Sequence, residues 1–364
     1  MKHIILALSL FFSISGSASE NTAYLDAPYK NLVHPIESKS NFKSASRSDF
    51  LEMQAIMTPI RSQGSRGTCS IFSAIAMLES MLLMNYNFNK ETLDLSEEWL
   101  EYLIMRNRNS DGSNSWSNFN ALRKYGTPYE STLPYIGQTW DESFLGTLAT
   151  QRCGDLVGGL RTSCLLGHRN PRLLNSSTEE LLDEGNSLYD PEFLDARTEA
   201  YQFRDDYINF SSSNYTVYYT ADVKRYLAKG YPLTLGIEFF YGAWNHNKAT
   251  EFGIGREASN WNQGIVGYPE RASVDYKVSK ENAAGHSILI VGYDDEKIVT
   301  TNVLMQDGST KTFTYKGVYY FKNSWGKGGF GRDFKIKGEN FDGYGMITQK
   351  HAHEHGSFYR MPLK

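Results

Sequence analysis

The sequence predicts an α+β fold, with helical segments in the first part of the chain and strands in the last part. From residue 69 to 86, apolar residues recur at helical spacing, and alanines between them allow close packing. From residue 287 to 321, runs rich in β-branched residues flank Asp307-Gly308, the strongest short hairpin signal in the chain. The length of 364 residues and the hydrophobic content of 40% suffice for a large core in one big domain or two ordinary ones.

Composition excludes several classes of protein. With 37 lysines and arginines against 41 aspartates and glutamates, the net charge of −4 gives no electrostatic reason to bind nucleic acid or an anionic membrane. An aromatic content of 14% is far too high for a disordered chain. Three cysteines are too few for a disulfide-stapled mini-domain, and their spacing is not that of paired metal ligands.

The N-terminus has the layout of a cleavable secretory signal peptide over residues 1–19. A short basic start is followed by a mostly apolar run at 4–14 and by small residues at 15–19. The apolar run is too short for a membrane anchor, which needs about 20 residues. We therefore expect export, either to the periplasm or out of the cell, with a polar N-terminal extension over residues 20–50.

Helix start and stop signals punctuate the first part of the chain. Thr68 is a possible N-cap, which places Cys69 at the start of the first strongly periodic helix. Ser96 caps a second helix, and a third runs from about 116 to 124 before Gly126 stops it. Later elements are predicted as a short helix at 221–228 and as strands at 231–240, 287–293, 298–305 and 312–321.

The composition changes at about residues 137–214, which we interpret as a largely helical insertion. The segment is rich in Leu, Arg, Asp, Glu and Ser, and residues 178–182 and 191–203 have helical patterns. Cys153 and Cys164 lie inside it with ten residues between them. In an exported protein we expect these two cysteines to form a disulfide, and free buried thiols are the alternative.

Three histidines alternate at positions 351, 353 and 355 near the C-terminus. An extended strand would place their imidazoles on one face, which would suit zinc or copper. A solvated loop is the preferred interpretation, and we predict neither a metal nor an organic cofactor.

The first segment with candidate catalytic residues runs from Gln63 to Cys69. A thiol at a helix N-terminus lies at the positive end of the helix dipole, which favours the thiolate and lowers the pKa of the thiol. Glycines at 64 and 67 allow a tight turn and leave room for a substrate backbone. The Gln63 side-chain N–H could join the Cys69 backbone N–H as an oxyanion hole. Taken alone, Cys69 is explained more often as a small buried hydrophobe.

Two later segments favour the interpretation of Cys69 as a nucleophile. His286 comes at the start of a predicted strand, directly after Ala284 and Gly285, and Asn323 begins an Asn-Ser-Trp-Gly motif at the end of the next hairpin. Cys, His and Asn in this order suffice for nucleophilic acyl transfer, because the imidazole accepts the thiol proton and the Asn side-chain oxygen orients the imidazole.

On these three motifs the sequence resembles the papain family of cysteine peptidases. The resemblance covers residues 58–86, 93–99, 125–135 and about 231–347. It implies a papain-like peptidase domain over residues 51–364, with a helical left lobe, a β-rich right lobe and the site in the cleft between them.

The resemblance also implies the function of each matched residue. Cys69 is the nucleophile, His286 the general acid/base, Asn323 the orienting residue and Gln63 the oxyanion donor. Substrate would contact Gly67, Gly112, Ala284, Gly285 and Trp325, and Trp325 would also shield the His–Asn hydrogen bond from water. The activity implied is hydrolysis of peptide bonds in proteins or peptides through a thioester, by a monomeric enzyme that needs no cofactor.

The sequence departs from the family pattern in ways that leave two alternatives open. Arg66 stands where the family usually has a crosslinking cysteine, and Ser70 replaces the aromatic residue that usually follows the nucleophile. The extension is short for the long inhibitory propeptide of many relatives, so we expect the insertion rather than the extension to cover the cleft. The alternatives are an acyltransferase or transamidase with the same triad, and a non-catalytic binding protein of the same fold.

Overall fold

The computed structural model describes residues 24–37, 47–141 and 146–364, so the predicted signal peptide lies outside the described residues. The α+β fold class is confirmed, with helices packed on a mixed sheet. The helices are α1 Phe50–Ala55, α2 Cys69–Asn85, α3 Glu97–Met105, α4 Ser115–Tyr125, α5 Thr147–Cys153, α6 Gly158–Gly167, α7 Thr178–Leu182, α8 Pro191–Tyr207, α9 Thr220–Ala228, α10 Lys248–Glu251, α11 Ala258–Asn262, α12 Val274–Glu281 and α13 Gln349–His355. The strands are β1 Thr216–Val217, β2 Leu233–Glu238, β3 Ile265–Val266, β4 Gly285–Leu304, β5 Thr310–Lys322, β6 Lys335–Ile336, β7 Glu339–Asn340, β8 Tyr344–Thr348 and β9 Gly356–Tyr359.

Helix α2 is the central helix of the helical lobe. Its residues from Cys69 to Leu82 are almost all buried, which agrees with the apolar periodicity of the sequence. The helix packs against α3 and α4 on one side and against β4 on the other. Thr68 does not cap α2 with its side chain, and its hydroxyl instead pairs with the Tyr135 hydroxyl at 2.7 Å. The Ser96 cap of α3 is confirmed, because its hydroxyl accepts from the Trp99 N–H.

The main sheet of the described residues has seven strands in the order β1-β9-β2-β4-β5-β8-β3, and only its β3–β8 pair is parallel. Strands β4 and β5 form the long hairpin predicted from Asp307-Gly308, and Gly308 adopts the positive φ of 81° that this turn requires. One face of the sheet packs on α2, while its other face carries a second core rich in aromatic residues. The start of β4 therefore lies close to the start of α2, between the two cores.

Helices α5 to α8 lie within the predicted insertion. Helices α7 and α8 agree with the sequence interpretation, whereas α5 and α6 were not predicted. Cys153 at the end of α5 and Cys164 in α6 form the predicted disulfide. Helix α6 also packs on α3, so the insertion is attached to the helical lobe.

Removing this disulfide is expected to destabilise the protein. In the chain-entropy model, a crosslink between cysteines 11 positions apart restricts the unfolded chain and contributes about 2–3 kcal/mol to the free energy of unfolding. A Cys153→Ala, Cys164→Ala double variant should therefore have a lower thermal midpoint than the parent in calorimetry without reductant. Adding reductant should lower the midpoint of the parent and leave that of the double variant unchanged. Equal midpoints for the two proteins without reductant would contradict the expectation.

The interpretation of the C-terminal histidines as a solvated loop is wrong. Residues Gln349–His355 form helix α13, in which His351 and His355 are buried on one face, one turn apart. His351 Nδ1 lies 2.8 Å from the carbonyl oxygen of Gly267, and His355 Nδ1 lies 2.9 Å from a carboxylate oxygen of Glu238. These imidazoles anchor the helix to the sheet. Among all the described residues, no helix combines the length and apolar character needed to cross a membrane.

Candidate active site

Cys69 lies at the first turn of α2, fully buried, at the end of a tight loop formed by residues 63–69, hereafter the nucleophile loop. Gly64 in this loop has a φ of 58°, and a Cβ there would clash with the carbonyl of Gly137. The Ser65 N–H donates to that same carbonyl at 2.9 Å. A side chain at position 64 would therefore both strain the backbone and displace it.

His286 and Asn323 meet on the facing strands β4 and β5. The imidazole Nε2–H donates to Asn323 Oδ1 at 2.9 Å, and both side chains are buried. The Trp325 ring stacks on the imidazole with centroids 4.4 Å apart and an interplanar angle of 20°. Because Nε2 carries the proton in the neutral imidazole, the lone pair is on Nδ1, which has no hydrogen-bond partner within the described part of the chain. This nitrogen can accept a proton.

The Gln63 carboxamide is held in one orientation. Its Oε1 accepts from the Ser324 hydroxyl at 2.7 Å, and its Nε2 donates to the carbonyl of Arg66 at 2.6 Å. The Gln63 backbone N–H donates to the carbonyl of Ser324 at 2.9 Å, which joins the nucleophile loop to the segment after β5. The amide donor is thus preorganised before any substrate binds.

The expectation that the extension leaves the cleft open is wrong. Asp26 pairs with Gly285 at the start of β4 as an isolated antiparallel bridge, with both N–H to carbonyl distances at 2.9 Å. The Tyr24 carbonyl accepts from Gln63 Nε2 and from Trp325 Nε1, each at 3.2 Å. Residues 24–32, hereafter the cleft segment, therefore cover the site, a position that the sequence interpretation gave to the insertion.

Two side chains of the cleft segment contact the thiol directly. Cys69 Sγ donates to Asp26 Oδ2 at 3.2 Å, and the Tyr29 hydroxyl lies 3.8 Å from the same sulfur. The Tyr29 hydroxyl also donates to Asp26 Oδ2 at 2.9 Å, and its ring packs on Gly285 and Gly236. The thiol proton is therefore directed to a carboxyl group of the cleft segment rather than to an imidazole.

The electrostatics of this closed site favour neutral groups. Burial raises the pKa of the Cys69 thiol well above its usual value, and Asp26 raises it further. The sequence argument for a lowered thiol pKa is therefore wrong for the closed site. Burial also lowers the pKa of His286 to about 3, although its bond to Asn323 opposes the shift. Burial raises the pKa of Asp26 to about 7, against the hydrogen bonds from Cys69 and Tyr29. The closed site thus holds a thiol and a neutral imidazole.

The structure brings four of the five predicted substrate contacts to the cleft segment. A Cβ at Gly67 would crowd the carbonyl of Leu25 at 3.0 Å, and a Cβ at Gly112 would crowd the Asp26 carboxyl at 3.2 Å. The other two are Gly285 and Trp325, through the hydrogen bonds described above. The fifth, Ala284, accepts through its carbonyl from the Phe239 N–H at 3.0 Å.

Sequence reasoning missed Asp26, Tyr29 and Ser324 as residues of this site. Ser324 lies within the quoted Asn-Ser-Trp-Gly motif, so its position next to Asn323 was a usable signal. Asp26 and Tyr29 belong to a polar segment without periodicity, and no local pattern marks them.

Comparison with known proteins agrees with this geometry. The model of the papain family of cysteine proteases matches residues 45–179, which include Gln63 and Cys69 but end before His286 and Asn323. Cysteine proteinase 1 of Entamoeba histolytica is 39% identical over 83 residues, which are 22% of this chain and 26% of that protein. Papain of Carica papaya is 33% identical over 82 residues, 22% of this chain and 23% of papain. The matched region is thus about a quarter of the length of these relatives.

The fold extends the likeness over nearly the whole chain. The crystal structure of xylellain, a cysteine protease from Xylella fastidiosa, aligns with 94% of this chain and 97% of its own, at a TM-score of 0.52 and 16% sequence identity. At that identity the alignment demonstrates the fold. The family model thus makes part of this chain similar to the papain family of cysteine proteases, and the alignment shows that its fold is papain-like.

Proposed function

We propose that this chain is an exported cysteine peptidase that hydrolyses peptide bonds of proteins or peptides as a monomer. The observation that carries the proposal is the convergence of Cys69, the His286–Asn323 pair and the Gln63 amide at one cleft between the helical lobe and the sheet. Export rests on the signal-peptide pattern of residues 1–19 and agrees with the disulfide in the insertion.

The chemistry follows from the hydrogen bonds of the site once the cleft segment has left. His286 Nδ1 accepts the Cys69 proton, and the sulfur attacks the substrate carbonyl carbon and forms a C–S bond. The oxyanion is stabilised by the Cys69 backbone N–H and Gln63 Nε2. The C–N bond then breaks as the imidazolium protonates the leaving amine. Water, deprotonated by the imidazole, attacks the thioester, and C–S cleavage releases the carboxylate and restores the thiol.

The first experiment labels the full-length chain carrying Asp26→Ala and Tyr29→Ala, hereafter the opened chain, with an epoxide-type thiol inhibitor. The expected result is one label, located on Cys69 by peptide mass mapping, together with cleavage of casein. Repeating the cleavage with added amines tests for a transamidase, whose products would carry the amine in place of a free carboxylate. An opened chain that is folded but neither labels nor cleaves would contradict the peptidase and favour a binding protein.

Replacing Asn323 by alanine is expected to lower kcat of the opened chain by roughly 10- to 100-fold. The reason is that the His286 imidazole loses the oxygen at 2.9 Å that fixes its orientation and tautomer. The measurement is hydrolysis of a fluorogenic peptide, normalised to the Cys69 that labels. Asn302→Ala on the exposed part of β4 is the matched control and should keep the parental kcat. An unchanged kcat in the Asn323 variant would contradict the orienting function.

A further inference from the structure

Arg66 is a fully buried arginine at the centre of the nucleophile loop. Its guanidinium holds the Asp111 carboxylate with two bonds, from Nε at 3.1 Å and from Nη2 at 2.7 Å. Its Nη1 lies 2.5 Å from Glu101 Oε1, and the Glu101 side chain is also fully buried. A buried guanidinium is costly to desolvate, and its rigid fork fixes the position of every group that it bonds.

The same guanidinium bonds the insertion. Nη2 donates to the carbonyl of Leu166 at 2.7 Å, and Nη1 lies 2.7 Å from His168 Nε2. His168 Nε2 also lies 3.0 Å from the carbonyl oxygen of Gln138, and its Nδ1 lies 3.0 Å from Glu98 Oε1. His168 is fully buried and has a left-handed backbone with a φ of 57°, directly after the helix that carries Cys164. The insertion is thus built to present this imidazole to Arg66.

On its other side, Arg66 adjoins the groups of the proposed reaction. Its carbonyl accepts from Gln63 Nε2 at 2.6 Å, and the Gly67 N–H lies 3.4 Å from Oδ2 of the Asp111 that the guanidinium holds. We propose that Arg66 is a positioning residue, which transmits the support of the insertion to the Gln63 amide and the Cys69 backbone. This inference rests on the proposed peptidase function and gives the insertion a part in it.

A metal ion would be the other explanation for the acidic cluster behind the loop. Glu98, Glu101 and His168 each offer one ligand atom, and these atoms lie within 4.8 Å of one another. However, Arg66 Nη1 already contacts Glu101 at 2.5 Å and His168 at 2.7 Å. The guanidinium therefore supplies the positive charge of this cluster from within the chain.

The test substitutes each end of the contact in the opened chain, as Arg66→Lys and as His168→Gln. Lysine keeps the positive charge but lacks the several N–H donors of the guanidinium. The His168→Gln variant leaves the amino-acid sequence of the nucleophile loop unaltered. Each is expected to lower kcat by roughly 10- to 100-fold while KM stays within about twofold, because ground-state binding is retained. The kcat of the double variant should be only slightly lower than that of the more impaired single variant, because both substitutions break the same contact between His168 and Arg66.

Arg169→Lys is the matched control, because Arg169 is also buried and pairs with Asp190 at 2.6 Å and Glu192 at 2.7 Å. It should lower the thermal midpoint and leave kcat per labelled Cys69 unchanged. An unchanged kcat for folded Arg66→Lys, or an equal kcat loss in the control, would overturn the inference.

Alkylation of Cys69 by iodoacetamide keeps this test independent of turnover. Its rate should fall in the Arg66 and His168 variants and stay at the parental value in the Arg169 variant. If the opened chain alkylates but does not hydrolyse peptides, the peptidase proposal fails while the alkylation rates still decide whether Arg66 positions the loop. Parental rates in all three variants would overturn the inference.

Discussion

Replacing Cys69 by alanine in the opened chain is expected to lower peptide hydrolysis by at least about 10⁴-fold, because the covalent step loses its nucleophile. The same change should abolish labelling by the epoxide inhibitor. Cys69 is the free cysteine of this chain, while Cys153 and Cys164 are joined in the disulfide. A thiol reagent therefore has one target, and residual activity of the alanine variant measures what the rest of the site achieves.

The control for this prediction is the Cys153→Ala, Cys164→Ala variant of the opened chain, which keeps the nucleophile. At temperatures where it is folded, it should label and hydrolyse at the parental rate per molecule. Thermal unfolding of the Cys69 variant should match that of the parent, so that lost activity cannot be attributed to lost structure. Substantial hydrolysis in the Cys69→Ala variant would show that another group attacks the substrate and would end the proposal of a thioester.

The extent to which sequence predicts this fold depends on how local the stabilising contacts are. Helix α2 was placed to within one residue, because thirteen of its seventeen residues are buried and their spacing is visible in the sequence. The β4–β5 hairpin was predicted from Asp307-Gly308, a signal contained in two residues. Helix α6 was missed because glycines begin and end it, and its support comes from α3 and from the disulfide to α5.

The candidate site shows the same division. Gln63, Cys69, His286 and Asn323 each stand in a short motif whose chemistry is legible without a structure. Asp26 is different, since its significance lies in a hydrogen bond to a thiol 43 positions away. Arg66 could be read only as a departure from the family pattern, because its partners lie on α3, on the loop before α4 and at the end of α6.

Opening the cleft by Asp26→Ala and Tyr29→Ala is expected to accelerate labelling of Cys69 by roughly 100-fold. Two lost hydrogen bonds and the exposure of one aromatic ring amount to about 3 kcal/mol, and each 1.4 kcal/mol is about a tenfold change in an equilibrium. The measurement is the second-order rate of epoxide labelling in the full-length parent and in the variant. His34→Ala, which removes a contact between the imidazole and the Gly356 carbonyl outside the cleft segment, is the control and should change the rate little.

The pH dependence of labelling gives a second, independent test of the cleft segment. The pKa of Asp26 is raised from 3.8 to about 7 by burial, so binding of the segment is strongest below the lower value and weakens as pH rises through 7. The pKa of Cys69 is also raised in the closed site, so ionisation of this thiol likewise weakens binding of the segment as pH rises. The nearby Asp111 carboxylate adds to the upward shift in the pKa of Asp26. His286 acts oppositely, because its pKa falls from 6.5 to about 3 in the closed site, but only below pH 6.5.

Between pH 6.5 and about 7 the parent should therefore open as pH rises, and its labelling should increase more steeply than ionisation of the thiol alone requires; above about pH 7 the Asp26 carboxyl is ionised in both states and adds no further slope. Asp26→Asn keeps the shape of the carboxyl and removes its titration, so its labelling should follow only the thiol. Equal slopes for the parent and Asp26→Asn between pH 6.5 and about 7 would contradict a carboxyl that controls access to the nucleophile. Unequal slopes with equal absolute rates at low pH would instead support it, since at low pH both side chains are neutral and both segments stay bound.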